Sequence, residues 1–203
     1  MWVIKLGGAL AKSGALRNWL DVLVEAGGGR VVIAPGGGVY ADQVREAQKE
    51  FQFSDALAHR MAVLAMEQYA LMLCGIRKEL IPAANASEMQ AVLSQGSVPV
   101  WLPSLMLLRE AGIAQNWHVS SDSLAAWLAK KIEASALMLV KQATVESKAV
   151  HAAKLAERGV VDREFPQFAA AGGFAMRLLH SDEFNSARDM LNGTATAGIR
   201  ILR

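Results

Sequence analysis

The sequence has 203 residues, of which 53% are hydrophobic and 20% are charged, and its formal net charge is +2. Such a chain can bury one sizeable α/β core; its weak, evenly spread charge argues against a nucleic-acid partner, and its single cysteine, Cys74, excludes an internal disulfide. No basic segment followed by a long apolar run opens the sequence, and no stretch approaches the roughly 18 apolar residues of a membrane span, so we expect a soluble, cytoplasmic protein without a membrane partner.

The first predicted strand begins at Trp2 and runs into a glycine pair, Gly7 and Gly8, with Lys5 on the strand itself. Backbone N–H groups at the tip of such a strand, with an ammonium beside them, can form a phosphate cradle. The alternative is that the lysine is purely structural, because short motifs of this kind often occur without a ligand.

A second glycine loop follows the second predicted strand. A helix at 15–24, with Ser13 as its cap, precedes a nearly all-apolar strand at 30–34, and a helix at 40–50 follows the loop. Strand, helix and strand in this order form a βαβ unit, whose ligands bind at the carboxyl ends of the strands. Unless they only permit a tight turn, three loop glycines are therefore candidate phosphate-binding residues: Gly36, Gly37 and Gly38.

A long helix is predicted from Ser54 or Asp55, either of which can cap it, to about residue 73. Its methionine-rich part, 61–73, indicates core packing or a subunit interface. His59 lies near the helix start, where its side chain can reach the mouth of the second glycine loop, although a histidine on a helix is more often a surface or core residue.

The middle of the chain carries shorter elements. We predict a strand at 79–82, a helix at 87–93 whose capping box begins at Ser87, and a strand at 98–102. Pro99 favours an edge strand or a strand start, and one turn of helix is expected within 103–112.

A polar cluster, Ser120 to Ser123, precedes the next predicted helix, which runs to residue 132 with Ser121 or Asp122 as its cap. Four consecutive polar residues are more than a cap requires. The simple alternative is that Asp122 is only a cap or first-turn acid, which is common and stabilises a helix by about 1 kcal/mol.

Three further elements are predicted towards the end of the sequence. An apolar strand at 134–140 ends in Lys141, a helix covers 151–158, and a strand covers 198–202. The chain thus offers two glycine loops after strands, two strand lysines and an aspartate at a helix start, which is the equipment of phosphoryl transfer. Neither a P-loop motif nor Gly-x-Gly-x-x-Gly occurs at these turns, which disfavours a P-loop enzyme and a dinucleotide-dependent dehydrogenase.

Five motifs follow one another in a characteristic order. They are Val3-Ile-Lys-Leu-Gly-Gly8, Val32-Ile-Ala-Pro-Gly-Gly-Gly38, Ser121-Asp122-Ser123, Leu137-Met-Leu-Val-Lys141 with Thr144-Val-Glu146, and Asn192-Gly-Thr194 with Gly198-Ile-Arg-Ile-Leu202. In this order they resemble the amino acid kinase superfamily, which includes acetylglutamate kinase, aspartokinase, carbamate kinase and uridylate kinase. The resemblance implies a three-layer αβα sandwich with a mainly parallel central sheet, formed by one domain over 1–203. About 1–118 would be the acceptor-binding lobe and about 119–203 the nucleotide-binding lobe.

The resemblance also implies roles for the candidate residues. Lys5 would neutralise the transferring phosphoryl group, with Gly7 and Gly8 donating to it from the backbone, and the glycines of the second loop would hold the acceptor or its phosphate. Asp122 would orient Lys5 and help to place Mg²⁺-bound ATP, the metal being carried by the nucleotide without a direct protein ligand.

The nucleotide side departs from the family pattern. The implied nucleotide-binding residues are Lys141, Thr144, Val145, Glu146 and Ser147, where Val-Glu-Ser replaces the usual Val-Asp-Gly. The stretch 159–166, which corresponds to the turn with a second catalytic lysine in acetylglutamate kinase, has no lysine. Lys141, or failing it Arg163, would have to supply that charge.

The acceptor is implied only by finer resemblance. Asp55, His59, Ser120 and Ser121 would contact it, and His59 falls near the ribose-binding aspartate of uridylate kinase. The helix at 54–66 and the run from Trp117 resemble most a subgroup from methanogens and methylotrophs that phosphorylates an aminomethylfuran methyl phosphate in methanofuran and tetrahydromethanopterin-type cofactor pathways.

The expected reaction is therefore transfer of the ATP γ-phosphoryl group to a small phosphate monoester by a homo-oligomer. The alternatives are a kinase for UMP or an amino-acid carboxylate, a non-catalytic nucleotide- or oxyanion-binding protein, and an assembly subunit that uses the helix at 61–73.

Overall fold

The computed structural model describes residues 1–107 and 110–203. The described strands are β1 (Trp2–Leu6), β2 (Val31–Pro35), β3 (Leu80–Ala83), β4 (Val98–Trp101), β5 (Ala136–Lys141), β6 (Ala149–His151), β7 (Ala175–His180) and β8 (Ile199–Leu202). The described helices are α1 (Ala9–Lys12), α2 (Leu16–Gly27), α3 (Gly38–Phe51), α4 (Asp55–Ile76), α5 (Ala86–Ser94), α6 (Ser104–Leu107), α7 (Ser121–Lys131), α8 (Ala152–Glu157), α9 (Phe165–Ala170) and α10 (Phe184–Leu191).

These strands form one sheet in the order β3-β4-β2-β1-β5-β7-β8-β6. β1 lies in its middle, parallel to β2 on one side and to β5 on the other. Among the pairings of the described strands, only β7 with β8 is antiparallel, so β8 and β6 run opposite to the rest. The carboxyl ends of β1, β2 and β5 therefore meet at one edge of the sheet, and the predicted mainly parallel sheet is confirmed.

Helices cover both faces of the sheet. Alternate residues of its central strand point to opposite sides, and the buried residues of each side need a covering layer. Val3 belongs to one buried apolar cluster, with side chains of α7 and α9, whereas Ile4 belongs to another, with side chains of α2 and α10. The long α4 contributes Val63 to the first cluster and Leu73 to the second. Two apolar cores on either side of one sheet confirm the predicted three-layer αβα sandwich.

Several helix starts differ from their prediction. Ser54 caps α4 as expected, since its side chain accepts a hydrogen bond from the Leu57 N–H. Ser13 does not cap α2: it follows the short α1, which was not predicted, and its hydroxyl donates to the Leu10 carbonyl at 2.9 Å. The cap of α5 is Asn85 rather than Ser87, because Asn85 Oδ1 accepts the Glu88 N–H at 3.0 Å.

The prediction of Ser121 or Asp122 as the cap of α7 is also wrong. The N-cap position is Ser120, whose side chain makes no capping hydrogen bond, and both predicted residues lie inside the first turn. Asp122 is thereby left for other contacts.

Other differences concern the sheet. Pro99 lies near the start of β4, but β4 is not an edge strand, since β3 and β2 flank it. The turn of helix expected within 103–112 is α6 in part, and residues 108–109 of that prediction lie outside the described residues.

The most important missed element is β7, which pairs with β5. Arg177 interrupts its apolar run, and the guanidinium is held by the carbonyls of Ala197 and Gly198. The short β6, α9 and α10 were not predicted either. No helix in the described ranges is long and apolar enough to cross a membrane.

Candidate active site

The two glycine loops touch each other at the carboxyl edge of the sheet. A Cβ atom added to Gly8, after β1, would lie 2.3 Å from the Cα of Gly38, after β2. Gly38 also has a positive φ of 55°, which glycine adopts without strain. Gly8 must be glycine because the backbone of the second loop lies against it, and Gly38 must be glycine because of its positive φ and because a Cβ atom there would lie 2.6 Å from the Tyr69 ring. The tight-turn interpretation alone does not account for the contact between the loops.

Three charged side chains meet beside these loops. Lys5 Nζ lies 2.8 Å from Oδ1 of Asp122, and Lys141 Nζ donates a hydrogen bond of 2.5 Å to Oδ2. Lys5 and Asp122 are 4% and 3% exposed. The Lys5 contact is an ion pair rather than a well-directed hydrogen bond, because Oδ1 has no hydrogen-bond partner among the described residues. One buried carboxylate thus lies between two ammonium groups, and we call these three residues the charge triad.

The charge triad shifts the protonation equilibria of its members. Burial would raise the pKa of Asp122, but the charges of Lys5 and Lys141 outweigh it and lower the pKa to about 2. Burial lowers the pKa of Lys141, and repulsion from Lys5 adds to this effect, while attraction to Asp122 opposes it. Asp122 is therefore ionised at neutral pH.

The position of Asp122 is set by a second aspartate that the sequence analysis did not select. Asp162 accepts hydrogen bonds from the N–H of Ser120 at 3.1 Å and of Ser123 at 2.9 Å, and also from both hydroxyls. It further accepts the Phe165 N–H at 3.0 Å. Asp162 therefore holds the first turn of α7, and with it Asp122, from a loop about 40 residues further along the chain.

Three cavities lie along the same edge of the sheet. The first, of about 280 Å³, is lined by the glycine loops and by residues of α3 and α4, and we call it the acceptor cavity. The second, of about 220 Å³, is lined by Lys5, Lys141 and Ser181, and we call it the transfer cavity. The two cavities share Gly8 and Ala9. The third, of about 660 Å³, lies between the loop after β5 and the ends of β7 and β8, and we call it the nucleotide cavity. The three names follow the roles that we propose below for these cavities.

The predicted site residues are distributed over these cavities unevenly. Gly7 and Gly8 line the transfer cavity, whereas Gly37 and Gly38 line the acceptor cavity. Gly36 lines neither, but a Cβ atom there would come within 3.0 Å of the Gly8 nitrogen, so it too supports the contact between the loops.

The predicted nucleotide-binding and acceptor-binding residues also divide. Thr144, Val145 and Ser147 line the nucleotide cavity, and His59, Ser120 and Ser121 line the acceptor cavity. Two predicted residues are not brought to a cavity: Glu146 is exposed outside the lining, and Asp55 is exposed with its Oδ1 bound to Gln48 Nε2 at 2.8 Å.

The geometry distinguishes the two candidates for the second cation. Lys141 is in the charge triad, whereas Arg163 is exposed and lines none of the three cavities. Two ammonium groups beside the N–H groups of a glycine loop can bind and neutralise a phosphoryl group.

The mouth of the acceptor cavity carries a second charged group that the sequence analysis missed. Asp42 pairs with Lys12 at 3.3 Å and with Arg45 at 3.0 Å, and the Arg45 guanidinium lies 4.7 Å from the ring centre of Trp117. One feature of the sequence could have identified this group. The helix α3 directly follows the second glycine loop, which brings its first two turns to the cavity.

His59 is buried in the wall of the acceptor cavity. Its Nδ1 lies 3.1 Å from the Asn116 carbonyl, to which it must donate, and burial lowers its pKa. A neutral His59 therefore keeps Nε2 as a hydrogen-bond acceptor. Among the described residues, no group of three or more His, Cys, Asp or Glu side chains is placed to hold a metal ion.

Comparisons with known proteins identify a family and similar structures. A model described as the amino acid kinase family matches residues 1–144. A curated relative from Methanocaldococcus jannaschii, named [5-(aminomethyl)furan-3-yl]methyl phosphate kinase, is 27% identical over 139 residues. The match covers 66% of this chain and 62% of the relative, so this chain matches less than two thirds of the relative's length.

Solved structures support the same fold over nearly the whole chain. Uridylate kinase from Archaeoglobus fulgidus has a TM-score of 0.75 at 16% identity, covering 99% of each chain. UMP kinase from Ureaplasma parvum has a TM-score of 0.73 at 15% identity, covering 100% of this chain and 98% of that one. Since the family model spans most of the sequence and the fold is shared throughout, this chain belongs to the amino acid kinase family.

Proposed function

We propose that this chain is a kinase that transfers the γ-phosphoryl group of Mg²⁺-bound ATP to a small phosphate monoester. The observation that carries the proposal is the charge triad, whose two ammonium groups line a cavity next to the glycine loops and the acceptor cavity. Membership of a kinase family supports the same conclusion.

The charge triad fits the electrostatic demands of phosphoryl transfer. The transition state spreads negative charge over the phosphoryl oxygens, and preorganised cations stabilise it. Asp122 holds Lys5 and Lys141 close together despite their repulsion, so both charges are in place before the substrates arrive. A phosphate acceptor is already ionised at neutral pH, and the reaction then needs no general base.

The cavities support an arrangement in which two substrates meet end to end. The acceptor would occupy the cavity beside α3 and α4, and the nucleotide would occupy the cavity beside the loop after β5, as the proposed lobes over about 1–118 and about 119–203 require. Mg²⁺ would enter with ATP and neutralise its phosphates. Lys5 and Lys141, which line the transfer cavity, would neutralise the remaining phosphate charge.

A phosphate monoester is the proposed acceptor for two reasons. The curated relative is named as a kinase of such a compound, an aminomethylfuran methyl phosphate. The acceptor cavity is lined by Lys12 and Arg45, whose two positive charges exceed the single negative charge of Asp42 and can attract an anion. It is also lined by Trp117, against which an aromatic ring can pack. His59 Nε2 would accept a hydrogen bond from a donor on the same acceptor, for example its aminomethyl group.

The test measures ADP release from Mg²⁺-bound ATP with a panel of acceptors. We expect turnover with [5-(aminomethyl)furan-3-yl]methyl phosphate, and the panel also includes UMP, aspartate and N-acetylglutamate. Lys5→Ala should lower turnover with the preferred acceptor by about 10³-fold, while Lys154→Ala, which removes an exposed lysine from a surface ion pair, should leave it unchanged. Near-normal turnover of Lys5→Ala would contradict the proposal.

A second candidate is a non-catalytic nucleotide-binding protein on the same fold. The observation that favours it is the altered loop after β5, where Glu146 is exposed outside the nucleotide cavity. Calorimetry that detects Mg²⁺-bound ATP binding, together with no ADP release from any acceptor in the panel, would support this candidate instead.

The proposal includes a homo-oligomer, because α4 presents an apolar stripe to solvent. Leu57, Met61, Leu64 and Leu71 follow one another at steps of four, three and seven residues, and each is at least 40% exposed. This spacing places them on one side of the helix, where a second copy could pack. Leu64→Lys should convert the oligomer to a monomer, which light scattering measures. Full kinase activity of the isolated protein would make a role as an assembly subunit secondary.

A further inference from the structure

The hydroxyl of Ser181 is a polar group of the transfer cavity that the reaction outlined above does not use. Ser181 follows β7 and is 3% exposed. It lines the cavity together with Lys5 and Lys141. A small apolar residue would fill the same space, so the presence of a hydroxyl at this point of the cavity requires an explanation.

The backbone of Ser181 is held from two sides. Its N–H donates to the Lys141 carbonyl at 2.8 Å, which extends the pairing of β5 and β7 by one residue. Its carbonyl accepts a hydrogen bond of 2.7 Å from the indole nitrogen of Trp19, a fully buried residue of α2. Both main-chain groups are therefore satisfied, and the position of the residue relative to Lys141 is fixed by the core.

The side-chain hydroxyl, in contrast, has no hydrogen-bond partner among the residues the structure describes. The hydroxyl oxygen is not sealed from solvent, although the residue as a whole is only 3% exposed. Because Ser181 lines the transfer cavity, a water molecule or a ligand there can supply the hydrogen-bond partner that no described protein group supplies.

We propose that Ser181 is a further catalytic residue, whose hydroxyl donates a hydrogen bond to a phosphoryl oxygen of the bound nucleoside triphosphate. This inference rests on the proposed function, since it takes the transfer cavity as the phosphate site. The two lysines supply charge there, and a hydroxyl adds a directed donor fixed on a rigid strand end.

The location of Ser181 assigns this contact to the nucleotide rather than to the acceptor. Ser181 lies beside Lys141 and Gln142, at the end of the transfer cavity from which the loop to the nucleotide cavity begins. It is absent from the lining of the acceptor cavity. The contact should therefore change nucleotide affinity and leave the KM for the acceptor unchanged.

The experiment compares calorimetric binding of Mg²⁺-bound ATP and of inorganic triphosphate to the full chain and to Ser181→Ala. We expect both affinities to fall by about tenfold, because a hydrogen bond to a charged phosphate is lost. Ser181→Thr, which keeps the hydroxyl, should bind both probes within about threefold of the original chain. Ser94→Ala is the matched control, since that hydroxyl donates only to the Gln90 carbonyl of its own helix.

The outcomes separate this inference from the proposed function. If the original chain binds both probes and Ser181→Ala binds them equally well, the hydroxyl has no role and the inference fails while the proposed kinase stands. If the original chain binds neither probe, both fail. A loss that Ser181→Thr shares in full would also overturn the inference, because the effect would then come from packing rather than from the hydroxyl.

Discussion

Two aspartates meet at the first turn of α7, and their surroundings are opposite. Asp122 contacts two ammonium groups, with no N–H or O–H donor of a neutral group on its carboxylate among the described residues. Asp162 accepts three backbone N–H groups and two serine hydroxyls. The first carboxylate positions charges, and the second positions a backbone. The partners of a carboxylate, rather than its residue type or its place near a helix start, therefore indicate its role.

The largest expected effect is that of Asp122→Asn. Without the negative charge, the ammonium groups of Lys5 and Lys141 repel each other and leave their positions, so turnover should fall by about 10³-fold. Steady-state kinetics with the preferred acceptor measure this change. Turnover within tenfold of the original chain would show that Asp122 is only a first-turn acid.

Asp162→Asn should act mainly on stability. The amide keeps one acceptor oxygen but presents its NH₂ group to donors, so we expect the free energy of unfolding to fall by about 2–3 kcal/mol. Turnover should fall by only about tenfold, through the altered position of α7. Urea unfolding and kinetics on the same samples measure both quantities, and a loss of turnover as large as that of Asp122→Asn at unchanged stability would remove the distinction between the two aspartates.

Acid should weaken the fold through Asp122. Its pKa is lowered to about 2 in the folded chain, below its value in the unfolded chain, so its contribution to stability is present above about pH 4 and is lost as the pH falls towards 2. That contribution is on the order of 2 kcal/mol. Unfolding curves between pH 2 and 6 should therefore show a smaller acid dependence in Asp122→Asn, and an equal dependence in both proteins would contradict the shift.

The smallest effect is expected at Asp42, which also bridges two cations but is exposed. Its side chain keeps 46% of its surface in solvent, where ion pairs with Lys12 and Arg45 contribute little. Asp42→Asn should change the free energy of unfolding by less than about 0.5 kcal/mol. In unfolding measurements this variant is the control for Asp122→Asn, because the two carboxylates each bridge two cations and differ chiefly in burial. A loss of several kcal/mol in Asp42→Asn would show that burial does not distinguish them.

The parts of the fold and site that sequence reasoning predicted are those whose signals are local. The strand with Lys5 and the apolar strand before Lys141 are short apolar runs with turns after them, so their ends could be placed at one edge of a parallel sheet. The glycine loops were predicted for the same reason. The structure adds that Gly8 and Gly38 contact each other, a requirement that no single loop shows.

The parts that were missed depend on contacts between distant residues. Asp162 binds Ser120 and Ser123 across about 40 residues, so nothing near it in the sequence marks it as the partner of α7. β7 was missed because Arg177 interrupts its apolar run, and the carbonyls that satisfy this charge lie 20 residues later. Ser181 follows from β7 and could not be considered before that strand was known.

The central claim is that Lys5 and Lys141, held by Asp122, carry phosphoryl transfer. The proposed role of Lys141 is the part that most needs a test, because the stretch that corresponds to the second catalytic lysine of acetylglutamate kinase, 159–166, has no lysine. The most direct measurement is the single-turnover rate of γ-phosphoryl transfer to the preferred acceptor in Lys141→Met, at saturating Mg²⁺-bound ATP. We expect the rate to fall by at least about 10²-fold, with Lys154→Met unchanged. A rate equal to that of the original chain would contradict the claim.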